Sequence, residues 1–126
     1  SGSDFALEMA TEYGKQCTII EMKPDVAMDM VFINQHSLKI YLKDAGVVTR
    51  TNTRVSEIVE NGVRVINEHV EADVVVAAFG MAPNTELTNA LKQKYNKKLV
   101  GVGDCVEVGK SGKAIRGGFY AGMQID

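Results

Sequence analysis

Five consecutive apolar residues, Val74-Val75-Val76-Ala77-Ala78, lie between the acidic Asp73 and the breaker Gly80. The run is too short for a helix and lacks the polar alternation of a half-exposed strand. It reads as the centre of a strand, Glu71 to Phe79, covered on both faces. Strands of that kind belong to parallel sheets, whose members are joined by helical crossovers. The rest of the chain supplies helices at suitable places. One is predicted from Asp4 to Tyr13, with Phe5, Met9 and Tyr13 on a single face, Ser3 or Asp4 as its cap and Gly14 as its stop. A second spans Gln35 to Ala45, with Leu38, Leu42 and Ala45 inward and Gly46 closing it. A third runs from Thr85 to Lys94, and a last one begins near Gly112 or Lys113.

Short β signals fall between these helices. Cys17 to Glu21 reads as a buried strand ending in an acid, followed by a loop with Pro24, Met28 and Met30. Val47 to Thr49, Thr53 to Glu60, Val63 to Asn67 and Leu99 to Val102 complete the set. Asn61-Gly62 marks a hairpin, because both residues tolerate positive φ. A doubly wound domain opens on a strand, whereas this sequence opens on the helix that would follow one. The expected fold is α/β: a Rossmann-like parallel sheet with an inserted antiparallel β-meander, lacking its first strand.

Composition narrows the function. The 126 residues are 45% hydrophobic and 24% charged, enough core material to exclude disorder. A net charge of −2 without a basic cluster argues against nucleic acid and against an anionic membrane surface. No apolar stretch approaches the roughly 20 residues of a membrane span. Cys17 and Cys105 are too few for a disulfide scaffold and lack zinc-binding spacing, so no metal site is expected and a reducing cytoplasm is the expected compartment. His36 and His69 have no evident partners and read as surface positions. Lys97-Lys98 reads as a solvated loop end, and the methionines as gap-fillers. Cys17 reads as an inert strand residue; nothing near Cys105 marks an activated thiolate, although its place after a Gly-Asp pair puts it near a candidate site.

Three stretches carry chemistry. In a dinucleotide-binding βαβ unit, the third fingerprint glycine lets the helix approach the strand closely, and an acid about 20 residues on binds the adenosine ribose. Gly2 and Glu21, 19 positions apart, match that spacing, and Ser1 to Ser3 also read as a cloning scar. Gly103-Asp104 places a carboxylate at a strand's carboxyl end, where α/β folds bind ligands. The small residues after Lys113-Ala114 let a helix lie close to a sheet or cofactor, with its N-terminus toward a phosphate or electron-rich ring edge. Gly80-Met81-Ala82-Pro83-Asn84 is the exit from the apolar strand.

The order of these motifs resembles a known family. Gly2-x-Asp4-x-Ala6-x-Glu8, Thr18-Ile19-Ile20-Glu21-Met22, Ala27-Met28-Asp29-Met30, Gly80-Met81-Ala82-Pro83-Asn84-Thr85-Glu86-Leu87, Gly103-Asp104-Cys105-Val106-Glu107 and Ala114-Ile115-Arg116-x-Gly118-Phe119-Tyr120-Ala121-Gly122 occur in sequence. Together they resemble the C-terminal FAD/NAD(P)-binding region of the 2,4-dienoyl-CoA reductase / 2-enoate reductase / NADH oxidase family, old yellow enzyme-like proteins with a pyridine nucleotide–disulfide oxidoreductase-like fold.

The resemblance implies a flavin oxidoreductase that passes hydride from NAD(P)H to FAD, ultimately to an enoate- or enoyl-CoA-type C=C bond or to oxygen. The complete enzymes also carry an FMN barrel and a [4Fe-4S] cluster, expected only in a missing part of the parent. Residues 1–85 correspond to the NAD(P)-binding domain and 86–126 to the returning part of the FAD domain. Gly2 becomes the last fingerprint glycine and Glu21 the ribose acid, flanked by Met22 and by Lys23, which would weaken a preference for NADH. Gly80 and Met81 belong to the strand exit between domains. Asp104, after Gly103, becomes the acid on the FAD ribityl chain, near Lys113 and Ala114. No catalytic residue is assigned. The partners implied are nucleotide cofactors and the absent N-terminal domains, and the isolated piece is expected to be inactive and to self-associate through an open sheet edge. The alternatives are a non-catalytic dinucleotide-fold interaction module, against which the flavin-facing acid argues, and a methyltransferase-like domain, against which the meander argues.

Overall fold

A computed structural model describes residues 2–95 and 99–125. Lys97 and Lys98 lie outside that range. The chain divides into two units, one ending at Ala78 and the other beginning at Phe79.

The first unit is built on a βαβ element. Helix α1 (Gly2–Glu12) leads to strand β1 (Thr18–Ile20), helix α2 (Phe32–Asp44) crosses over, and strand β2 (Val48–Arg50) returns parallel to β1. Thr18, Ile19 and Ile20 pair with Val48, Thr49 and Arg50. The two helices end before Gly14 and Gly46, both at positive φ. The core between helices and strands consists of Ala6, Val26, Leu38, Leu42 and Val47, with Leu7, Ala10, Cys17, Ile19 and Met30 against it. Leu42 is its centre, at 1% exposure.

Two expectations for the helices are corrected. The α1 face turned inward carries Ser3, Ala6 and the partly buried Leu7 and Ala10, not Phe5 and Tyr13, which are exposed. Small side chains let the helix lie close to its neighbours; the aromatic stripe had the right period but the wrong side. Helix α2 begins at Phe32, three residues before the predicted start.

The meander follows: β3 (Val55–Val59), β4 (Gly62–Val65) and β5 (Glu68–Glu71), all antiparallel. Gly62, Val63 and Val65 are its buried residues. The first hairpin turns through Glu60-Asn61 rather than Asn61-Gly62, since Gly62 already pairs with Val59 and with Glu71. Gly62 has a different task. Its φ is +138°, and a Cβ there would sit 2.1 Å from the Val70 carbonyl oxygen. Only glycine lets the two strands meet at that point. The meander is tied back to the parallel pair by Arg50, whose guanidinium donates from both terminal nitrogens to the Glu68 carboxylate at 2.9 and 2.6 Å. That paired hydrogen bond holds the Glu68 carboxyl below its ordinary range and raises Arg50.

Two predicted strands are absent as ladders. Strand β5 ends at Glu71, and Val74 to Phe79 is in no strand; Val74 and Phe79 are each 77% exposed. Leu99 to Val102 is likewise unpaired. An apolar run becomes a strand only where a second backbone offers it hydrogen bonds, and neither segment meets one among the described residues.

The second unit holds helix α3 (Glu86–Tyr95), a 3₁₀ turn (Gly103–Cys105) and helix α4 (Ser111–Gly122). The Asn84 side chain opens α3 by accepting the Glu86 N–H at 3.3 Å. No described residue of this unit is fully buried, and Ile115, Phe119, Tyr120 and Met123 of α4 and its end are exposed. No helix among the described residues is long and apolar enough to cross a membrane.

Candidate functional site

Two of the predicted loci are built by separate units. The first lies where β1 and β2 end. Glu21 donates its N–H to the Arg50 carbonyl at 2.9 Å, so it continues the parallel ladder by one residue. Its side chain then folds back, and Oε1 accepts the Lys23 N–H at 2.9 Å. Glu21 is half-buried, while Met22 and Lys23 are exposed. This is the carboxyl end of a parallel pair, the side on which α/β sheets receive ligands.

Gly2 stands at the start of α1. A Cβ built on it would lie 2.7 Å from the Ala78 Cβ, a separation that side chains do not tolerate. The first helical turn therefore rests against the Val74–Ala78 segment at a distance only glycine permits. The third glycine of a dinucleotide fingerprint permits a close approach of helix to strand; the segment approached here is in no strand.

The second locus lies between the 3₁₀ turn and α4. Gly103 has φ +74°, a left-handed conformation that swings the chain out of the preceding extended Val102. A Cβ on Gly103 would come to 3.8 Å from the Ala114 Cβ, so these two predicted residues are neighbours. Asp104 follows, exposed, with Oδ1 accepting the Gly109 N–H at 3.3 Å. Lys113 is paired with Glu107, and its aliphatic stem covers Gly109. The cation near the α4 N-terminus is therefore already engaged by an acid of its own unit.

The remaining assignments stand apart. Gly80 has φ +82° with open space where a side chain would be, and Met81 is 75% exposed. His36 stacks on Phe32 at 6.2 Å on the exposed start of α2, and His69 is exposed on β5. Cys105 is half-buried with its thiol donating to the Val102 carbonyl at 3.1 Å. Among the described residues no three His, Cys, Asp or Glu side chains gather into a metal site.

Sequence reasoning overlooked three residues. Glu107, part of the Gly103–Glu107 motif but given no role there, holds Lys113, and Gly109, which nothing in its context singled out, holds Asp104. Asn52, in Thr51-Asn52-Thr53, turns the chain after β2 with φ +51°. Asparagine between two threonines was a legible turn signal.

The chain matches the model of the pyridine nucleotide-disulphide oxidoreductase family over residues 1–107. It belongs to that family. The resemblance read from the ordered motifs is thus confirmed, and the α/β architecture with it. The NADH oxidase of Thermoanaerobacter brockii is 33% identical over 120 residues, which cover 90% of this chain and 18% of that protein. The structure of a 2-naphthoyl-CoA reductase in complex with 2-naphthoyl-CoA superposes with a TM-score of 0.77 at 28% identity, over 98% of this chain and 19% of that one. A 6-hydroxypseudooxynicotine amine oxidase from Pseudomonas geniculata N1 shares the fold, with a TM-score of 0.76 at 22% identity, over 97% of this chain and 20% of its own. This chain therefore spans about a fifth of the length of these relatives.

Membership makes this a chain of the NAD(P)H- and FAD-binding oxidoreductases. The residues present fit such cofactors. Glu21 and Asp104 are carboxylate acceptors on half-buried or exposed turns, suited to the hydroxyls of a ribose or ribityl chain, and each has one oxygen fixed by a backbone N–H. Gly2 supplies the close helix approach.

Proposed function

We propose that this chain is the nucleotide-handling part of a longer flavin oxidoreductase, which takes hydride from NADH in preference to NADPH. In this reading residues 1–85 form the NAD(P)-binding domain and 86–126 the returning part of the FAD domain. Glu21 accepts the adenosine ribose hydroxyls of NADH, with Met22 and Lys23 beside it. Asp104 accepts hydrogen bonds from the ribityl hydroxyls of FAD, with Gly103, Lys113 and Ala114 as further cofactor-binding residues of its unit, and Gly80 and Met81 also bind cofactor. Bound FAD supplies the hydride acceptor. An iron–sulfur cluster and FMN, expected elsewhere in the parent, would supply the one-electron relay and the reduction of an enoate- or enoyl-CoA-type C=C bond or of oxygen.

The observation that carries the reading is the pairing of Gly2 with Glu21. A Cβ on Gly2 would lie 2.7 Å from the Ala78 Cβ, and Glu21 follows β1 with a carboxylate held by the Lys23 N–H. A carboxylate in that place bonds a free 2′-hydroxyl and repels a 2′-phosphate. Steady-state kinetics of the complete enzyme with both nucleotides test it. NADH is expected to give the higher kcat/KM; equal or better kcat/KM with NADPH sinks the assignment of Glu21.

A further inference from the structure

The Glu21 carboxylate is only as well aimed as the backbone that carries it, and that backbone is gripped by one turn. After Arg50 the chain does not run on as a strand. Asn52 enters the left-handed region at φ +51°, and the turn then faces its amides back toward β1. The Asn52 N–H donates to the Lys23 carbonyl at 2.9 Å, and the Thr53 N–H donates to the Glu21 carbonyl at 2.9 Å. The turn closes on itself through the half-buried Thr53, whose hydroxyl donates to the Thr51 carbonyl at 2.9 Å. Glu21 and Lys23 are thus held on their carbonyl side by residues 52 and 53. The Lys23 N–H, so placed, holds Oε1 of Glu21.

We propose that Asn52 is a positioning residue for nucleotide selection, acting through the Glu21–Lys23 loop rather than by touching the nucleotide. This rests on Glu21 being the ribose acceptor, as argued above. Asparagine is one of the few non-glycine residues that enters the left-handed region readily, whereas a β-branched residue there is strained. Asn52→Val therefore loosens or shifts the turn, both carbonyl grips weaken, and Glu21 loses its fixed direction. Asn52→Gly keeps the backbone accessible.

The test uses the complete enzyme and five variants, Asn52→Val, Asn52→Gly, Thr53→Val, Glu21→Ala and Glu21→Ala/Asn52→Val. With Asn52→Val, KM for NADH is expected to rise roughly five- to tenfold with kcat retained, and the NADH/NADPH ratio of kcat/KM to fall, the range set by the cost of a strained φ. Asn52→Gly should behave as wild type. In the Glu21→Ala background the Asn52→Val effect should vanish, because coupled residues are not additive. Thr53→Val removes the closing hydroxyl with little change of shape; it should raise KM in the same direction by a smaller factor, and carries the test should Asn52→Val not fold. An Asn52→Val effect of equal size with and without Glu21, or unchanged KM in Asn52→Val and Thr53→Val, overturns the positioning role while Glu21→Ala still reports on Glu21 itself. Unchanged NADH KM in Glu21→Ala removes the ribose acceptor, and the positioning role falls with it.

Discussion

Helices α2 and α4 are of similar length, yet they live in opposite circumstances. Helix α2 buries Leu38 and Leu42 against Val26, Val47 and Ala6, inside a unit closed by two parallel strands and a meander. Helix α4 has a well-separated apolar side, but Ile115, Phe119 and Met123 are 71%, 64% and 69% exposed. The first unit completes a core from its own sequence; the second arranges a turn and a helix around Asp104 without enclosing one. Burial of apolar surface is the main favourable term in folding, so stability should be concentrated before Ala78.

The largest effect expected from that contrast is at Leu42. Replacing Leu42 by Ala removes the most buried side chain of the core and should cost about 2–5 kcal/mol, read from urea denaturation of the 126-residue chain. A loss under about 1 kcal/mol would mean that the first unit is not where the stability resides.

Gly62→Ala sharpens the comparison within the first unit. The new Cβ meets the Val70 carbonyl oxygen at a φ of +138°, so the meander must shift. A loss of at least about 1–3 kcal/mol is expected, with the core of the βαβ element retained. Hydrogen exchange should locate the damage in β3 to β5 and leave α2 protected. Equal loss of protection in both would show the meander and the βαβ element to be one cooperative block.

Phe119→Ala is the counterpart to Leu42→Ala. In the 126-residue chain it should change stability by less than about 0.5 kcal/mol, since the ring is largely exposed already. A loss comparable to that of Leu42→Ala would break the contrast outright.

The smallest effect is electrostatic. Asp25 accepts a 2.6 Å hydrogen bond from Lys39 Nζ and another from the Val26 N–H, and the Lys39 bond above all holds its carboxyl below the ordinary value of 3.8. A carboxyl lowered in the folded state stabilises that state above its unfolded pKa and stops doing so as pH falls through the lower folded value. Lys39→Met should therefore lower stability slightly near neutral pH, where the contribution is fully present, and make the acid limb shallower because the difference vanishes as pH falls through the folded value; partial exposure of the pair keeps the effect small. No movement of the acid limb would remove the pair from the account.

The same contrast explains what could be read from the sequence. Leu38 and Leu42 at helical spacing, Gly46 as a stop and the short run at Val47 to Thr49 all lay in a unit whose local pattern agrees with its own packing. The run Val74–Ala78 was just as apolar, but a strand is a property of two backbones, and its pairing could not be read from one. Helix α1 misled for a related reason. Phe5, Met9 and Tyr13 form a periodic stripe, but the side that approaches Ala78 and the core needs small residues, and Gly2, Ser3, Ala6 and Ala10 provide them. At the candidate sites, Glu21 was visible as the acid after a strand and Asp104 as the acid of a Gly-Asp turn. Their holders were less so: Asn52 was legible as a turn residue, but its grip, like those of Thr53 and Gly109, acts through a backbone N–H group that no side-chain motif announces.

The proposed division of labour between the two regions also bears on the isolated chain. It should carry no stoichiometric flavin and show no NADH oxidation above a protein-free control, because hydride transfer needs donor and acceptor held at roughly 3–3.5 Å. Oxidation of NADH by the chain with added FAD would mean that 126 residues suffice for a working site.

The central claim is that two carboxylates, one in each region, serve two different nucleotides. Flavin-to-protein ratios of the purified complete enzyme carrying Glu21→Ala or Asp104→Ala test it most directly. Asp104→Ala should lose a charge-assisted hydrogen bond worth roughly 1.5–3 kcal/mol, about one to two decades of FAD affinity, and be purified with depleted flavin. Glu21→Ala should be purified with full flavin. A full complement in Asp104→Ala, or depletion in Glu21→Ala equal to it, would contradict the account.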